Sequence, residues 1–220
     1  MKLSVIVPTL NEAAQIGALM ETLAPLRRRG HEVIVVDGGS TDGTPLLAQG
    51  LCDRVLGVAR GRALQMNAGA RHASADALVF LHADTRLPAN ADRLIARALV
   101  HHRWGRFDVR IQGGQRLLKV VAWAMNLRSR LSGIATGDQA IFVRREDFRG
   151  FPEIALMEDI AFSSAMKRLG APACLREYVT TSARRWEARG VLRTIVLMWG
   201  LRLLYFFGAR PESLARRYEP

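Results

Sequence analysis

Residues 31–43 read HEVIVVDGGSTDG, and this stretch decides the fold. Four consecutive Val/Ile residues, 33–36, end on Asp37 and run into Gly38, Gly39, Ser40, Asp42 and Gly43. A short continuous run of β-branched residues closed by turn formers is a strand buried on both faces. Upstream, residues 3–7 (LSVIV) form a second such run, with a helical stretch from about 11 to 29 between the two. Downstream the pattern predicts a short helix to Gln49, a strand over 54–58, a helix over 62–72 and a strand over 77–82 (ALVFLH). Buried strands separated by helices require a sheet that is mostly parallel and covered on both faces. The expected fold class is therefore α/β, a single domain with helices flanking a mostly parallel central sheet.

Beyond Leu87-Pro88 the spacing predicts a helix to about 102, an alternating strand over 107–111 and a helix over 115–131. A glycine-containing loop, SGIATGDQ (132–139), leads into a strand at 140–144. A helix from near 157 to 170 and a strand around 173–179 follow, with no repeat, low-complexity tract or linker before 185. Residues 191–207 (VLRTIVLMWGLRLLYFF) are apolar except for Arg193, Thr194, Gly200 and Arg202. At about 100° per residue Arg193 and Arg202 fall on opposite helix faces, so there is no clean polar stripe. A spanning helix needs about 20 apolar residues, and this run is shorter with Arg202 inside it. A helix apolar nearly all round is expected to be buried: against its own domain, in a homodimer, or at a membrane surface. Arg210, Arg216 and Arg217 beside it suit anionic lipid.

Thirty-two basic residues, 29 of them Arg, against 20 acidic give a net charge of +12. Such a field attracts polyanions: nucleic acid, phosphorylated substrates or an anionic membrane. The basic residues are scattered rather than gathered into one stripe, so nucleic-acid binding is not the expected function. Two cysteines, Cys52 and Cys174, exclude a disulfide framework and a four-thiolate zinc site. The first apolar run is broken by Pro8 and followed by Asn11 and Glu12, unlike a signal peptide. A cytoplasmic setting is the expectation.

In parallel sheets ligands bind beyond the carboxyl ends of the strands. Asp37, the segment 61–67 and Asp84 fall at or just past those ends. Pro8-Thr9 places a fixed φ and a hydroxyl at the sheet edge, and Asp37 is an acceptor for a base N–H or a ribose hydroxyl. Ser40, Thr41 and Asp42 are suited to cap the next helix. In GRALQMNAGA (61–70), Arg62 offers a forked donor, Asn67 an amide for a base edge, and Gly69 close backbone approach. In FLHADT (80–85), a carboxylate at Asp84 is placed to share a divalent metal with a diphosphate. His82, on the same side by strand periodicity, is either a weaker metal ligand or a core histidine. Glu158-Asp159 at a helix start offers a general base, Asp138 after Gly137 an acceptor-orienting group, and Arg184-Arg185-Trp186 two cations and an indole. Each has an ordinary alternative: a turn, an amphipathic helix, capping acids, a solvated basic loop.

Taken in order, VIVPTLNE, VVDGGSTD, GRALQMNAG, LHADT, GDQ, ED and RRW resemble the family-two glycosyltransferases of A-type fold, over roughly residues 3 to 187. The resemblance implies a nucleotide-sugar-dependent, metal-assisted, inverting transferase domain at 1–187, followed by an apolar and basic helical extension at 188–220. By motif position Pro8, Thr9, Glu12 and Asp37 match the uridine-binding group, with Arg62 and Asn67 beside them. Asp84 matches the metal-binding acid of the Asp-x-Asp motif, with Mn²⁺ or Mg²⁺ as the implied cofactor. Asp159 matches the general base with Glu158 adjacent, while Asp138, Arg185 and Trp186 fall where acceptor or diphosphate is held. The sequence departs twice. His82 stands for the first acid of Asp-x-Asp, and Gly38 for the second acid of Asp-Asp-Gly-Ser, leaving base recognition to Asp37. The partners implied are a UDP-sugar donor and an acceptor, lipid-linked in one reading, at the inner face of the membrane. Rival readings are a sugar-phosphate nucleotidyltransferase, disfavoured by the lack of a Gly-rich loop after the first strand, and a non-catalytic basic adaptor at membrane or RNA.

Overall fold

The computed structural model describes residues 1–218, the Arg185 side chain excepted. Its strands are β1 (Leu3–Thr9), β2 (Glu32–Asp37), β3 (Arg54–Gly57), β4 (Ala77–Phe80), β5 (Thr85–Arg86), β6 (Trp104–Gln112), β7 (Ile141–Arg144) and β8 (Ala173–Ser182). They join in one sheet of order β3-β2-β1-β4-β7-β6-β8-β5. The first four are parallel, as the buried Val/Ile runs predict. Direction reverses at β7, which runs antiparallel to both β4 and β6, and β5 opposes β8. An apolar run such as IFVR records burial and not direction, so the reversal is invisible in the pattern.

The alternation within HEVIVVD builds the two layers. Val33 and Val35 join Leu3, Val5 and Val7 beneath α1 (Ala13–Arg28), which contributes Ile16, Leu19, Met20 and Leu23. Ile34 and Val36 join Ile6, Leu78 and Phe80 on the other face. There they meet α3 (Arg62–His72) and α6 (Glu158–Lys167). Gly69 lets α3 come close to the sheet, because a Cβ there would overlap Ile6 Cγ2. The close approach expected of Gly69 is thus to β1. Pro8 is tolerated in an inner strand because pairing of β1 with β4 stops at Ile6, so no ladder bond on that side needs its missing N–H.

Helices α2 (Thr44–Ala48), α4 (Ala91–His101) and α5 (Arg116–Ser132) complete the layers. The chain ends in α7 (Arg184–Arg189), α8 (Val191–Phe206) and α9 (Pro211–Tyr218). The domain itself buries residues 191–207 only in part, leaving the homodimer and the membrane surface as the places for the rest. Only Val191, Thr194 and Leu201 of α8 are buried, while Leu192, Val196, Trp199, Leu203 and Phe206 face out, Phe206 at 82% exposure. These five recur at helical spacing and form one apolar stripe. The opposite face packs Val191 against Leu118, Val121 and Ala122 of α5, and Leu201 against Met157 and Leu214. Among the described residues no helix is long and apolar enough to cross a membrane.

Candidate active site

Strand β1 lies between β2 and β4, so the chain winds away from it in both directions. A crevice opens beyond the strand ends at such a reversal. There Thr9 stands opposite Asp37 in register. Asp37 is 4% exposed and its carboxylate is fully engaged. Oδ2 accepts the backbone N–H of Gly39 (2.9 Å) and Ser40 (2.8 Å), and Oδ1 accepts the hydroxyls of Ser40 (2.5 Å) and Thr9 (3.1 Å). Asp37 thereby shapes the GGS turn that would face a nucleoside. Gly38 leaves room for Gln65, since a Cβ there would sit 3.1 Å from the Gln65 amide and press on it. Gln65 Nε2 donates to the carbonyls of Thr9 (2.7 Å) and Val36 (2.8 Å), tying the ends of β1 and β2 together. Sequence reading passed over Gln65. Its signal is a polar residue one helical turn after Arg62 on an otherwise apolar inner face.

Asp42 works differently from expectation. Besides holding the Thr44 hydroxyl and N–H, it accepts the N–H of Ala13, capping α1 rather than α2 alone. The Thr44 hydroxyl, then the Ala13 amide, hold the Asp42 carboxyl below its ordinary value. Glu12 is bound to Arg184, with Nη2 at 3.0 Å from Oε2, which joins α7 to the start of α1. Asn67 is occupied as well: Nδ2 donates to the Phe151 carbonyl (2.9 Å) and Oδ1 accepts the Phe151 N–H (2.7 Å). That pair fixes the segment bearing Phe151, whose ring stacks on Phe162 at 4.3 Å. Trp186 packs into the apolar cluster of Leu118, Val121 and Val191. The Arg185 side chain lies outside the described residues.

The remaining candidates gather around two hollows. A small cavity of about 10 Å³ is lined by Arg62, His82, Gly137, Glu158 and Asp159. Asp159 Oδ2 accepts the Gly137 N–H (3.0 Å) and Oδ1 the Ile160 N–H (2.8 Å), so the carboxylate is locked in orientation. Arg62 Nη1 is 3.4 Å from Glu158 Oε1. His82 Nδ1 lies 3.2 Å from Asp138 Oδ1, and its buried Nε2 has no hydrogen-bond partner among the described residues. A satisfied core histidine is therefore not what the structure shows. Gly137 is required here, since a Cβ would overlap His82 Nε2. The second hollow is a cleft of about 440 Å³ lined by Gln15, Asp84, Arg86, Gln112, Thr181 and Glu187. Strand periodicity does not carry His82 and Asp84 to one side, because β4 stops at Phe80 and the two residues line different hollows.

Met157, just before Glu158, takes a left-handed conformation (φ 70°), as do Asn11 (φ 54°) and Ala140 (φ 46°). Non-glycine residues in this region are uncommon. All three flank the segments just described, and such strain tends to collect at functional sites.

The family model for Glycosyl transferase family 2 matches residues 4–150, two thirds of the sequence. The chain belongs to that family. Solved structures similar to this glycosyltransferase include S. aureus TarS 1–349 in complex with UDP-GlcNAc, at 21% identity and a TM-score of 0.64. That alignment covers 83% of this chain and 58% of TarS 1–349, so the chain spans under two thirds of that relative. Mannosyl-3-phosphoglycerate synthase from Rubrobacter xylanophilus matches at 20% identity and a TM-score of 0.64, over 94% of this chain and 75% of its own. Glucosyl-3-phosphoglycerate synthase from Mycobacterium tuberculosis, in complex with Mn²⁺, UDP and phosphoglyceric acid, matches at 22% identity and a TM-score of 0.60, over 82% and 69%. At these identities the structures establish the shared fold.

Within this glycosyltransferase the described residues contain no group of three or more His, Cys, Asp or Glu able to hold a metal by themselves. A site in which one carboxylate and the substrate's phosphates share the ion needs no such group, and the cleft wall carries two carboxylates, Asp84 and Glu187. Burial pushes the Glu158 carboxyl above its ordinary value, the charge of Asp159 adds to this, and Arg62 opposes it. A carboxyl raised in the fold contributes stability that is whole below its ordinary value and is lost as pH climbs through the raised one. Glu158→Gln should therefore melt above wild type at neutral pH, with the gap closing as pH falls toward 4.5. Melting curves across that range check this, and a gap independent of pH would contradict it.

Proposed function

We propose that this glycosyltransferase moves a sugar from a UDP-sugar to an acceptor hydroxyl, with inversion and with help from a divalent metal. The observation that carries the reading is the oriented Asp159 carboxylate, held by two backbone N–H groups beside Arg62 and Glu158. A base used repeatedly at one position must be pre-oriented, and hydrogen bonds to both carboxylate oxygens achieve that. Asp159 takes the proton from the acceptor hydroxyl as that oxygen attacks the anomeric carbon opposite the leaving diphosphate. The Arg62 guanidinium faces the charge that develops on the diphosphate. Mn²⁺ or Mg²⁺ held by Asp84 would neutralise part of the same charge. Thr9 and the Asp37-shaped turn receive the uridine. The UDP-GlcNAc complex of TarS, and the Mn²⁺ and UDP in the glucosyl-3-phosphoglycerate synthase, support this choice of donor and metal.

The test is thermal melting of the full chain against a panel of nucleotides and nucleotide sugars, with and without Mn²⁺. A UDP-sugar is expected to raise the melting temperature, and more so with Mn²⁺. Indifference to every nucleotide would overturn the donor reading in favour of the basic adaptor.

The outward stripe of α8 favours a second element, a peripheral protein acting at the cytoplasmic face of a membrane on a lipid-linked acceptor. Val120, Trp123, Leu127 and Leu131 of the neighbouring α5 are exposed too, and the net charge of +12 suits an anionic surface. Trp199→Glu combined with Phe206→Glu should cut co-sedimentation with anionic vesicles by about tenfold, since the two rings supply much of the insertable apolar area. Unchanged co-sedimentation would remove the membrane and leave a homodimer, read by sedimentation velocity.

A further inference from the structure

Arg128 on α5 and Arg202 on α8 belong to the two helices that flank the entry to α6. Leu201 packs on Met157, the residue before Glu158, so the Arg202 turn of α8 is docked against that entry. Arg128 Nε and Nη2 and Arg202 Nε are buried nitrogens with no hydrogen-bond partner among the described residues. Arg106 is also close to Arg128; the Asp108 carboxylate and the Asn126 carbonyl take its two terminal nitrogens, while its Nε has no partner among the described residues. A buried cationic donor without an acceptor loses its hydration and gains nothing in return. Two such groups side by side repel as well. Burial and then the charge of Arg202 pull the Arg128 guanidinium down to about 10, and the Asp159 carboxylate acts against this. Asp159 is thus within electrostatic reach of Arg128. An arrangement short of acceptors and rich in forked cations is complementary to a phosphoryl group, whose oxygens take paired N–H donors from a guanidinium.

We propose that Arg128 and Arg202 form an anion subsite that holds a phosphoryl group of the acceptor, beside the base Asp159. The proposal deepens the transferase reading and rests on it for the word acceptor. Both residues are half-buried while the unpartnered nitrogens themselves are covered, so a phosphoryl group would meet them as the two side chains turn outward between α5 and α8. The phosphoryl group anchors the acceptor, and a hydroxyl of the same molecule is thereby presented to Asp159. No bond to phosphorus is made or broken.

Inorganic phosphate is the probe, titrated by calorimetry and thermal melting into the full chain, with UDP absent and then saturating so that any diphosphate site is filled. Phosphate is expected to bind in both conditions. Affinity should fall about tenfold or more in Arg128→Gln and in Arg202→Gln, the size expected for a lost charged hydrogen bond. Arg193→Gln, exposed on the same helix, should leave it unchanged. Without added phosphate the first two variants should melt at or above wild type, because an unpaired buried charge has been removed; a purely structural role predicts the reverse. UDP affinity should be the same in all variants. A wild type that does not bind phosphate, or binding that survives both substitutions, overturns the subsite. A wild type that binds phosphate but no UDP counts against the donor reading and leaves the subsite standing. Glycerol phosphate and phosphatidate vesicles, run on wild type and Arg128→Gln, separate a soluble carrier from a lipid one. Arg128-dependent binding in either arm supports the subsite, and its absence from both overturns the acceptor assignment.

Discussion

Asp159→Asn is expected to lower kcat by about 10²–10⁴-fold and leave nucleotide affinity unchanged. The substitution preserves volume, and its carbonyl oxygen still accepts the Gly137 N–H that Asp159 Oδ2 holds at 3.0 Å. The Ile160 N–H, now 2.8 Å from Oδ1, then meets an amide nitrogen, for a stability cost of about 1 kcal/mol. What disappears is the proton acceptor. An interaction made only while the hydroxyl is losing its proton lowers kcat without weakening donor binding. Calorimetry with UDP and initial rates on the same preparation separate the two, and equal losses in both would sink the assignment. Glu158 is the informative neighbour. It is buried, raised in pKa and paired with Arg62. Its Oε1 faces the Arg62 guanidinium, whereas both Asp159 oxygens are oriented by backbone N–H groups, so Asp159 is the carboxylate left to meet an acceptor hydroxyl.

How much of this was legible in the sequence depends on the physics of each feature. Runs such as VIVV and ALVF betray buried strands because burial on both faces leaves no polar positions. The reversal at β7 and the two-residue β5 carry no such mark, since ladder direction depends on how the chain returns to the sheet. The strand pattern puts Asp37, the segment 61–67 and Asp84 at or just past the strand ends, but the partners of each side chain were hidden. That Asn67 binds the Phe151 backbone, Glu12 binds Arg184, and Gln65 takes the space a side chain at 38 would need are contacts across 27 to 172 residues of sequence. The 191–207 helix illustrates the converse. Its composition was read correctly, yet composition does not say which half of an apolar helix finds a partner. The orphaned guanidinium groups of Arg128 and Arg202 looked like two more members of an arginine-rich chain.

Asp84→Ala should abolish the Mn²⁺-dependent part of donor binding. A ligand present at 100 times its Kd stabilises a fold by about 2.7 kcal/mol, so in wild type a UDP-sugar with Mn²⁺ gives a melting shift that is simple to read. Asp84 lines the 440 Å³ cleft just past β4, with Glu187 of α7 as the other carboxylate on its wall, and the described residues provide no cluster of three ligands to take its place. Removing it leaves the ion with substrate oxygens, water and Glu187 on the cleft wall. The metal-dependent increment should vanish, while any shift from the nucleoside, held by Thr9 and the turn at 37–40, persists. His82→Ala supplies the discriminating arm. Its ring lines the other hollow and faces Asp138, so the variant should keep the Mn²⁺ response and lose turnover through disturbance of the Gly137–Asp159 contact. If His82→Ala removes the Mn²⁺ response as completely as Asp84→Ala, the two side chains share the ion after all. The segment 81–84 would then have to rearrange when donor binds, swinging the imidazole from Asp138 toward the cleft. Retention of the response in Asp84→Ala would instead exclude Asp84 as the ligand and leave Arg62, with Arg86 of the cleft, to neutralise the diphosphate.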